Sequence, residues 1–169
     1  MLARNAIEKY LEDASVISPP EEEFLQNPGA AFVTLKFGKE LRGCIGSTLF
    51  SDPLGITIVH CALSAAFHDP RFNPLSRDEY SRIRVEISVL SPFVRCLNPE
   101  ELIVGLHGAM ITNHRHRGLL LPQVATEYNW DRETFLTYAC RKAGLSDQAW
   151  KEDTTCLEIF TAEVFGEND

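Results

Sequence analysis

The sequence predicts an α+β fold in which a mainly antiparallel β-sheet is flanked by α-helices. Stretches with strand-like alternation come in pairs around short turns, which is the pattern of antiparallel hairpins. Single helices with apolar stripes separate these hairpins, so each helix is expected to pack on the sheet. A length of 169 residues fits one domain with a real hydrophobic core, over residues 1–169 and with two lobes possible.

Composition narrows the class of protein. The chain is 44% hydrophobic and 24% charged, which is typical of a soluble globular protein. Its net charge of −8 disfavours nucleic-acid binding, which depends on Lys and Arg side chains that neutralise phosphates. No apolar run approaches transmembrane length, and charged residues interrupt the N-terminal stretch where a signal peptide would be apolar. The sequence therefore predicts a cytoplasmic protein that binds neither nucleic acid nor membrane.

The cysteines point the same way. Their number is odd and none forms a Cys-x-x-Cys pair, which disfavours a structural zinc site or a disulfide framework. Scattered single cysteines suit a reducing cytosol. We predict no metal site and no cofactor. The five cysteines are Cys44, Cys61, Cys96, Cys140 and Cys156.

The first elements are two helices and a hairpin. An apolar stripe predicts a helix over Leu2–Leu11, and acidic residues suit the first turn of a short helix over Glu21–Leu25. Residues Ala31–Phe37 alternate as a strand. Gly38-Lys39 can close a hairpin whose returning strand is Leu41–Gly46.

This returning strand carries the first candidate site. If it is regular, Arg42 and Cys44 point the same way, while Leu41 and Ile45 point into a core. A cation beside a cysteine favours the nucleophilic thiolate, and the glycines allow close approach of a backbone or a ligand. The alternative is a tight strand end with a buried, inert cysteine.

A long helix and an irregular loop follow. The helix begins at Asp52-Pro53, with Pro in the first helical position. Two prolines hold the loop His68–Pro74. Within it, Asp69 and Arg71 either form a structural ion pair or leave Arg71 to face a ligand.

The clearest strand of the chain spans Arg82–Leu90, with alternating apolar and polar residues. Glu86 lies on its polar face and needs a partner if it is buried, for which Arg42 on a neighbouring strand is our candidate. Such a pair would weaken the effect of Arg42 on the Cys44 thiol. Asn98–Ile103 then predicts a short helix capped by its Asn.

His107 follows between glycines and is expected either to act as an acid or base or to cap a turn. The stretches Ala109–Thr112 and Gly118–Leu121 predict a second hairpin, and a helix begins near Pro122. Its backbone N–H groups are an anion site in principle. Two last elements are predicted: a helix capped by Asp131 and ended by Gly144, and a final strand over Thr155–Val164 that joins the central sheet.

Several of these stretches together resemble one known family. The stretch Leu-Arg-Gly-Cys-Ile-Gly resembles the signature of the AMMECR domain, called AmmeMemoRadiSam system protein A in prokaryotes. Further matches are Asp-x-Arg-Phe-x-Pro, Gly-x-His-Gly and Leu-Pro-Gln-Val-Ala, at residues 69–74, 105–108 and 121–125. The resemblance implies an α+β fold with a larger and a smaller lobe and no established reaction. It also implies partners, a Memo-type protein and a radical S-adenosylmethionine protein.

Two functional hypotheses follow. The first is a catalytic or ligand-binding cleft at Leu41–Gly46, with Cys44 as nucleophile, Arg42 stabilising negative charge, and Glu86 or His107 as acid or base. The second is a non-catalytic accessory subunit; the chain lacks a Cys-x-x-x-Cys-x-x-Cys motif, so radical chemistry would belong to a partner. The candidate ligand-binding residues are Gly43, Gly46, Asp69, Arg71, Pro122 and Gln123.

Overall fold

A computed structural model describes residues 1–167 of the chain. They divide into two compact units, Met1–Leu90 with the stretch from Glu163 onwards, and Ser91–Ala162. Each unit contains a four-stranded sheet with helices packed on it, which confirms the predicted α+β class. Within residues 1–167, no helix has the length and apolar character needed to cross a membrane.

The regular elements follow the chain in hairpins and single helices. The helices are α1 (Leu2–Asp13), α2 (Glu23–Gln26), α3 (Leu54–Phe67), α4 (Arg77–Tyr80), α5 (Pro122–Glu127) and α6 (Arg132–Lys142). The strands are β1 (Ala30–Phe37), β2 (Glu40–Ser47), β3 (Arg84–Leu90), β4 (Val94–Arg95), β5 (Gly108–Asn113), β6 (His116–Leu120), β7 (Cys156–Phe160) and β8 (Ala162–Gly166). Two 3₁₀ turns span Pro99–Glu101 and Ala149–Lys151.

The first unit is built on a sheet with strand order β2-β1-β3-β8, so β2 and β8 are its edges. Alternation along β1 and β3 places Val33, Leu35, Val85 and Ile87 on one face, where they form a core with α3. Helix α1 packs against α3. The predicted hairpin of β1 and β2 is confirmed, and its turn includes Gly38 with a φ of 56°.

The second unit has strand order β4-β7-β5-β6, with α6 packed on β5 and β6. Phe135 and Leu136 of α6 are fully buried against Ile111 and its neighbours. Asp131 caps α6, since its carboxylate accepts a hydrogen bond from the N–H of Thr134 at 2.8 Å. The N-cap predicted for this helix is therefore confirmed.

The predicted final strand is wrong in one respect. The chain breaks at Thr161 into β7, which joins the second sheet, and β8, which joins the first. At this break the backbone N–H of Ser91 donates to the Thr161 carbonyl at 2.9 Å, and the N–H of Thr161 donates to the Ser91 hydroxyl at 2.9 Å. These bonds hold the chain where β7 ends and β8 begins, a point that the strand-like composition of Thr155–Val164 does not mark.

Candidate functional site

Strand β2 contains a β-bulge at Arg42. Leu35 of β1 pairs with Gly43, but the next residue, Lys36, pairs with Leu41, so Arg42 is the extra residue. Leu41 therefore shares a sheet face with Cys44, because their partners Lys36 and Thr34 are two residues apart. The expectation that Arg42 and Cys44 point the same way is wrong, since it assumed a regular strand.

The glycines of this stretch are pressed against protein atoms. A Cβ on Gly43 would lie 2.2 Å from the carbonyl oxygen of Ala65 in α3, so only glycine lets helix and strand approach this closely. A Cβ on Gly46 would lie 2.3 Å from the ring of Phe32. The close neighbour expected at each glycine is therefore part of the protein itself.

Arg42 is buried, and its charge is used inside the fold. Its Nε and Nη2 donate to the two carboxylate oxygens of Glu79 at 3.0 Å each, and Nη2 also donates to the carbonyl of Asn73 at 2.9 Å. These bonds favour the charged carboxylate and lower the pKa of Glu79 to about 2. The predicted pairing of Arg42 with Glu86 is wrong: Glu86 pairs with Lys36 at 3.1 Å.

Asp69 and Arg71 hold the outer edge of β2 at Cys44. The Asp69 carboxylate accepts the Cys44 N–H at 2.9 Å, and Arg71 Nη2 donates to the Cys44 carbonyl at 3.1 Å. The two side chains also bind each other, with 2.7 Å between Nη2 and Oδ2. The guanidinium of Arg71 holds the pKa of the Asp69 carboxyl well below its usual range. Of the two alternatives for this loop, the ion pair is the one that forms.

This arrangement satisfies backbone groups that an edge strand otherwise leaves open. The Asp69 side chain is 1% exposed, whereas that of Arg71 is 51% exposed, so the clamp has a buried acceptor and a solvent-facing cation. The ring of Phe72 lies 5.5 Å from the guanidinium of Arg71 and 5.7 Å from that of Arg42. Both backbone polar groups of Cys44, its N–H and its carbonyl, are therefore bound by this loop.

Cys44 is partly exposed and lies opposite Thr34. The Thr34 hydroxyl donates a hydrogen bond to Sγ at 3.3 Å, which orients the side chain. On the other side of Thr34, Glu86 occupies the same face of β3, roughly 10 Å from Cys44 at two interstrand spacings. The thiol therefore has a hydroxyl neighbour, with the carboxylate one strand further away.

The other four cysteines provide a contrast. Cys61, Cys96 and Cys140 are buried, and burial raises the pKa of all three thiols, that of Cys61 to about 11. Cys156, at the start of β7, is partly exposed like Cys44. Cys44 and Cys156 are therefore the two cysteines that are not buried.

The remaining predicted residues belong to the second unit. His107 accepts the backbone N–H of Ile103 through Nδ1 at 3.1 Å, so the turn-capping alternative is realised. Pro122 is buried at the first position of α5, and Gln123 follows it. Within the first unit, Cys44 is brought together with Asp69 and Arg71, whereas Arg42 and Glu86 have other partners.

Two residues of this site lie outside the sequence predictions. Thr34 becomes the neighbour of Cys44 only because the bulge shifts the register of β2 by one residue. Glu79 could be found from the sequence, because Ser-x-x-Glu at residues 76–79 is the pattern of a capping box. In the structure, Ser76 and Glu79 form that capping box at the start of α4. Among residues 1–167, no group of three or more His, Cys, Asp and Glu side chains is arranged to hold a metal ion.

The chain is similar to one family over nearly its whole length. The family model described as AMMECR1 matches residues 1–165. A protein of Thermofilum pendens is 41% identical, with 98% of this chain and 86% of that protein covered. A protein of Aeropyrum pernix is 42% identical, with coverages of 99% and 77%.

A solved structure shares the fold. The crystal structure of an uncharacterised protein from Pyrococcus horikoshii superposes with a TM-score of 0.95 at 38% sequence identity. The match covers 99% of this chain and 88% of that one. The similarity therefore extends through both units and includes the candidate site.

Proposed function

This chain belongs to the AMMECR1 family, and we propose that it acts through Cys44, as a thiol that binds or attacks a small electrophilic ligand. One observation supports this most directly. Cys44 is a partly exposed residue whose sulfur accepts a hydrogen bond from Thr34, while its backbone is clamped by Asp69 and Arg71. A reactive group held this firmly needs little reorganisation to react.

The roles within the cleft follow from the contacts. Arg71 takes the role of stabilising negative charge on the ligand, because its side chain stays half exposed while it binds Asp69, whereas Arg42 is buried against Glu79. Gly43 and Gly46 shape the strand and do not reserve space for the ligand. The five free cysteines suit a reducing compartment, and we propose a cytoplasmic location.

Glu86 is the acid or base of this proposal, because it belongs to the same unit as Cys44 and lies on the same sheet face. Its carboxylate is bound by Lys36 at 3.1 Å. The other predicted residues, His107, Pro122 and Gln123, belong to the second unit, and the proposal gives them no role at Cys44.

The test is the rate of alkylation of each cysteine by iodoacetamide in the native protein, followed by peptide mass spectrometry. In this reaction the sulfur forms a bond to carbon, iodide leaves, and the thiol proton passes to water. We expect Cys44 to react about tenfold faster than Cys156, the other partly exposed thiol. The variant Thr34→Val should slow Cys44 alone. Equal rates, or protection of Cys44 until urea unfolds the protein, would contradict the proposal.

A second candidate function is that of a non-catalytic accessory subunit. It is supported by the pairing of Arg42 with Glu79 and of Glu86 with Lys36, which occupies two groups expected to assist the thiol. The proposed partners are a Memo-type protein and a radical S-adenosylmethionine protein. Titration calorimetry of Cys44→Ser against the purified Memo-type protein distinguishes the two functions. Unchanged binding, together with unchanged activity of the assembled system, would favour the accessory subunit over the thiol site.

A further inference from the structure

The first unit contains an apolar cavity of about 740 Å³ remote in sequence from the Cys44 stretch. It lies between α1, the segment 17–25, the beginning of α3, and strands β3 and β8. Its volume is in the range of sites that bind small molecules, roughly 300–1,000 Å³. The walls are formed mainly by aliphatic side chains, among them Leu2, Ile17, Leu25, Ile58, Ile87 and Val89.

The rim of the cavity exposes large apolar side chains to water. Phe24 is 58% exposed and Phe165 is 52% exposed, and both line the opening. Exposed apolar groups around a concave apolar surface are typical of binding sites, since a ligand removes them from water. The apolar character of the walls and of the rim therefore favours a ligand with an apolar body.

The charged side chains that line the cavity are all acidic. Glu22 and Glu163 line it, and no Lys, Arg or His side chain does, although the amino group of Met1 is nearby. Within residues 1–167, neither carboxylate forms an ion pair. Glu21 and Glu23 flank Glu22 in the sequence and are also exposed. The lining side chains therefore carry only negative charge, which favours a cationic ligand over fatty acids and other apolar anions.

We propose that this cavity binds a small amphiphilic cation, with an apolar body and one ammonium or amidinium group. The apolar body lies against Ile58, Ile87 and Val89, and the cationic group is attracted by the carboxylates of Glu22 and Glu163, which line the same cavity. This proposal is independent of the Cys44 site, because none of the residues Leu41–Gly46 lines the cavity. Failure of either proposal leaves the other standing.

The experiment compares three probes with the same eight-carbon chain: octylammonium, octanol and octanoate. Titration of the ¹⁵N-labelled full chain, followed by amide chemical shifts, gives a dissociation constant for each. We expect octylammonium to bind about tenfold more tightly than octanoate, with octanol between them. The shifts should be largest at the beginning of α3 and along β3 and β8, which line the cavity.

The role of the carboxylates is tested by Glu22→Gln with Glu163→Gln. The double variant should weaken octylammonium binding about tenfold and leave octanol binding unchanged. The matched control, Glu127→Gln with Glu152→Gln, removes the same charge from exposed positions of the other unit and should change neither. Ser18→Trp, at an exposed lining position, should block all three probes.

Three results would overturn the proposal. The first is equal affinity of octylammonium and octanoate, which means that the carboxylates do not select the ligand. The second is a loss of octylammonium affinity in the Glu127/Glu152 control equal to that in the Glu22/Glu163 variant, because only net charge would then matter. The third is saturable binding of a basic amphipathic peptide without saturable octylammonium binding, which would make the cavity a peptide groove.

Discussion

The two edge strands of the first sheet, β2 and β8, differ in what covers them. At β2, Asp69 and Arg71 bind the outward-facing N–H and carbonyl of Cys44, and Gly43 is pressed against α3. At β8, Val164 and Phe165 are about half exposed and an apolar cavity lies beside the strand. One edge is closed by polar groups at fixed positions, and the other presents apolar surface to solvent.

The difference shows how one sheet can serve two purposes. An edge strand normally exposes a row of backbone groups that invites pairing with another chain. The clamp at β2 removes that hazard and also fixes the thiol, which suits chemistry that needs a defined position. The short strand β8 carries the charged residue Glu163, and its apolar neighbours suit binding by burial of surface.

The largest expected contrast between the edges comes from adding one methyl group to a glycine of each. Gly43→Ala should lower the free energy of unfolding by about 3 kcal/mol or more, because its Cβ would lie 2.2 Å from a backbone oxygen of α3. A Cβ at Gly166 in β8 would have no atom within 4 Å, so Gly166→Ala should change the free energy of unfolding by less than about 0.5 kcal/mol. Urea unfolding followed by circular dichroism measures both, and similar losses would contradict the contrast.

A smaller effect is expected from Asp69→Asn, which removes the negative charge of the Asp69–Arg71 pair that binds β2. The amide cannot accept all the hydrogen bonds that the carboxylate takes from Arg71 and from the Cys44 N–H, so the loss should be about 2–3 kcal/mol. Cys44 should also be alkylated at a changed rate, since its backbone is released. Asp153→Asn, at an exposed position, is the control. A variant as stable as this control would mean that the clamp does not stabilise the edge.

The smallest effect is expected from Glu79→Gln, which removes the carboxylate that binds Arg42 at the bulge and with it a pH-dependent part of the stability. The pKa of Glu79 is about 2 in the folded protein against 4.5 ordinarily, so its contribution is complete above pH 4.5 and is lost as the pH falls through 2. With its side chain 30% exposed, that contribution is about 1–2 kcal/mol. Glu79→Gln should therefore be less stable than the parent at pH 7, and the difference should shrink towards pH 2. A difference that is constant across this range would contradict the assignment.

The sequence by itself determined the fold class, the β1–β2 hairpin, the capped helix α6 and the family. These features depend on local signals: alternation along strands, apolar stripes along helices, and residues that favour turns and caps. Six consecutive residues, Leu41–Gly46, also located the candidate site. Each of these signals acts over a few neighbouring residues, which is why one sequence sufficed.

Tertiary structure alone decided the partners within that site. A two-residue turn at Gly38-Lys39 with regular pairing would set Thr34 opposite Gly43, whereas the bulge sets it opposite Cys44 and turns Arg42 towards Glu79. The break at Thr161 likewise assigns β7 and β8 to different sheets. In each case the chain exchanges a regular backbone ladder for close packing or for hydrogen bonds with residues distant in sequence, and no local pattern encodes that exchange.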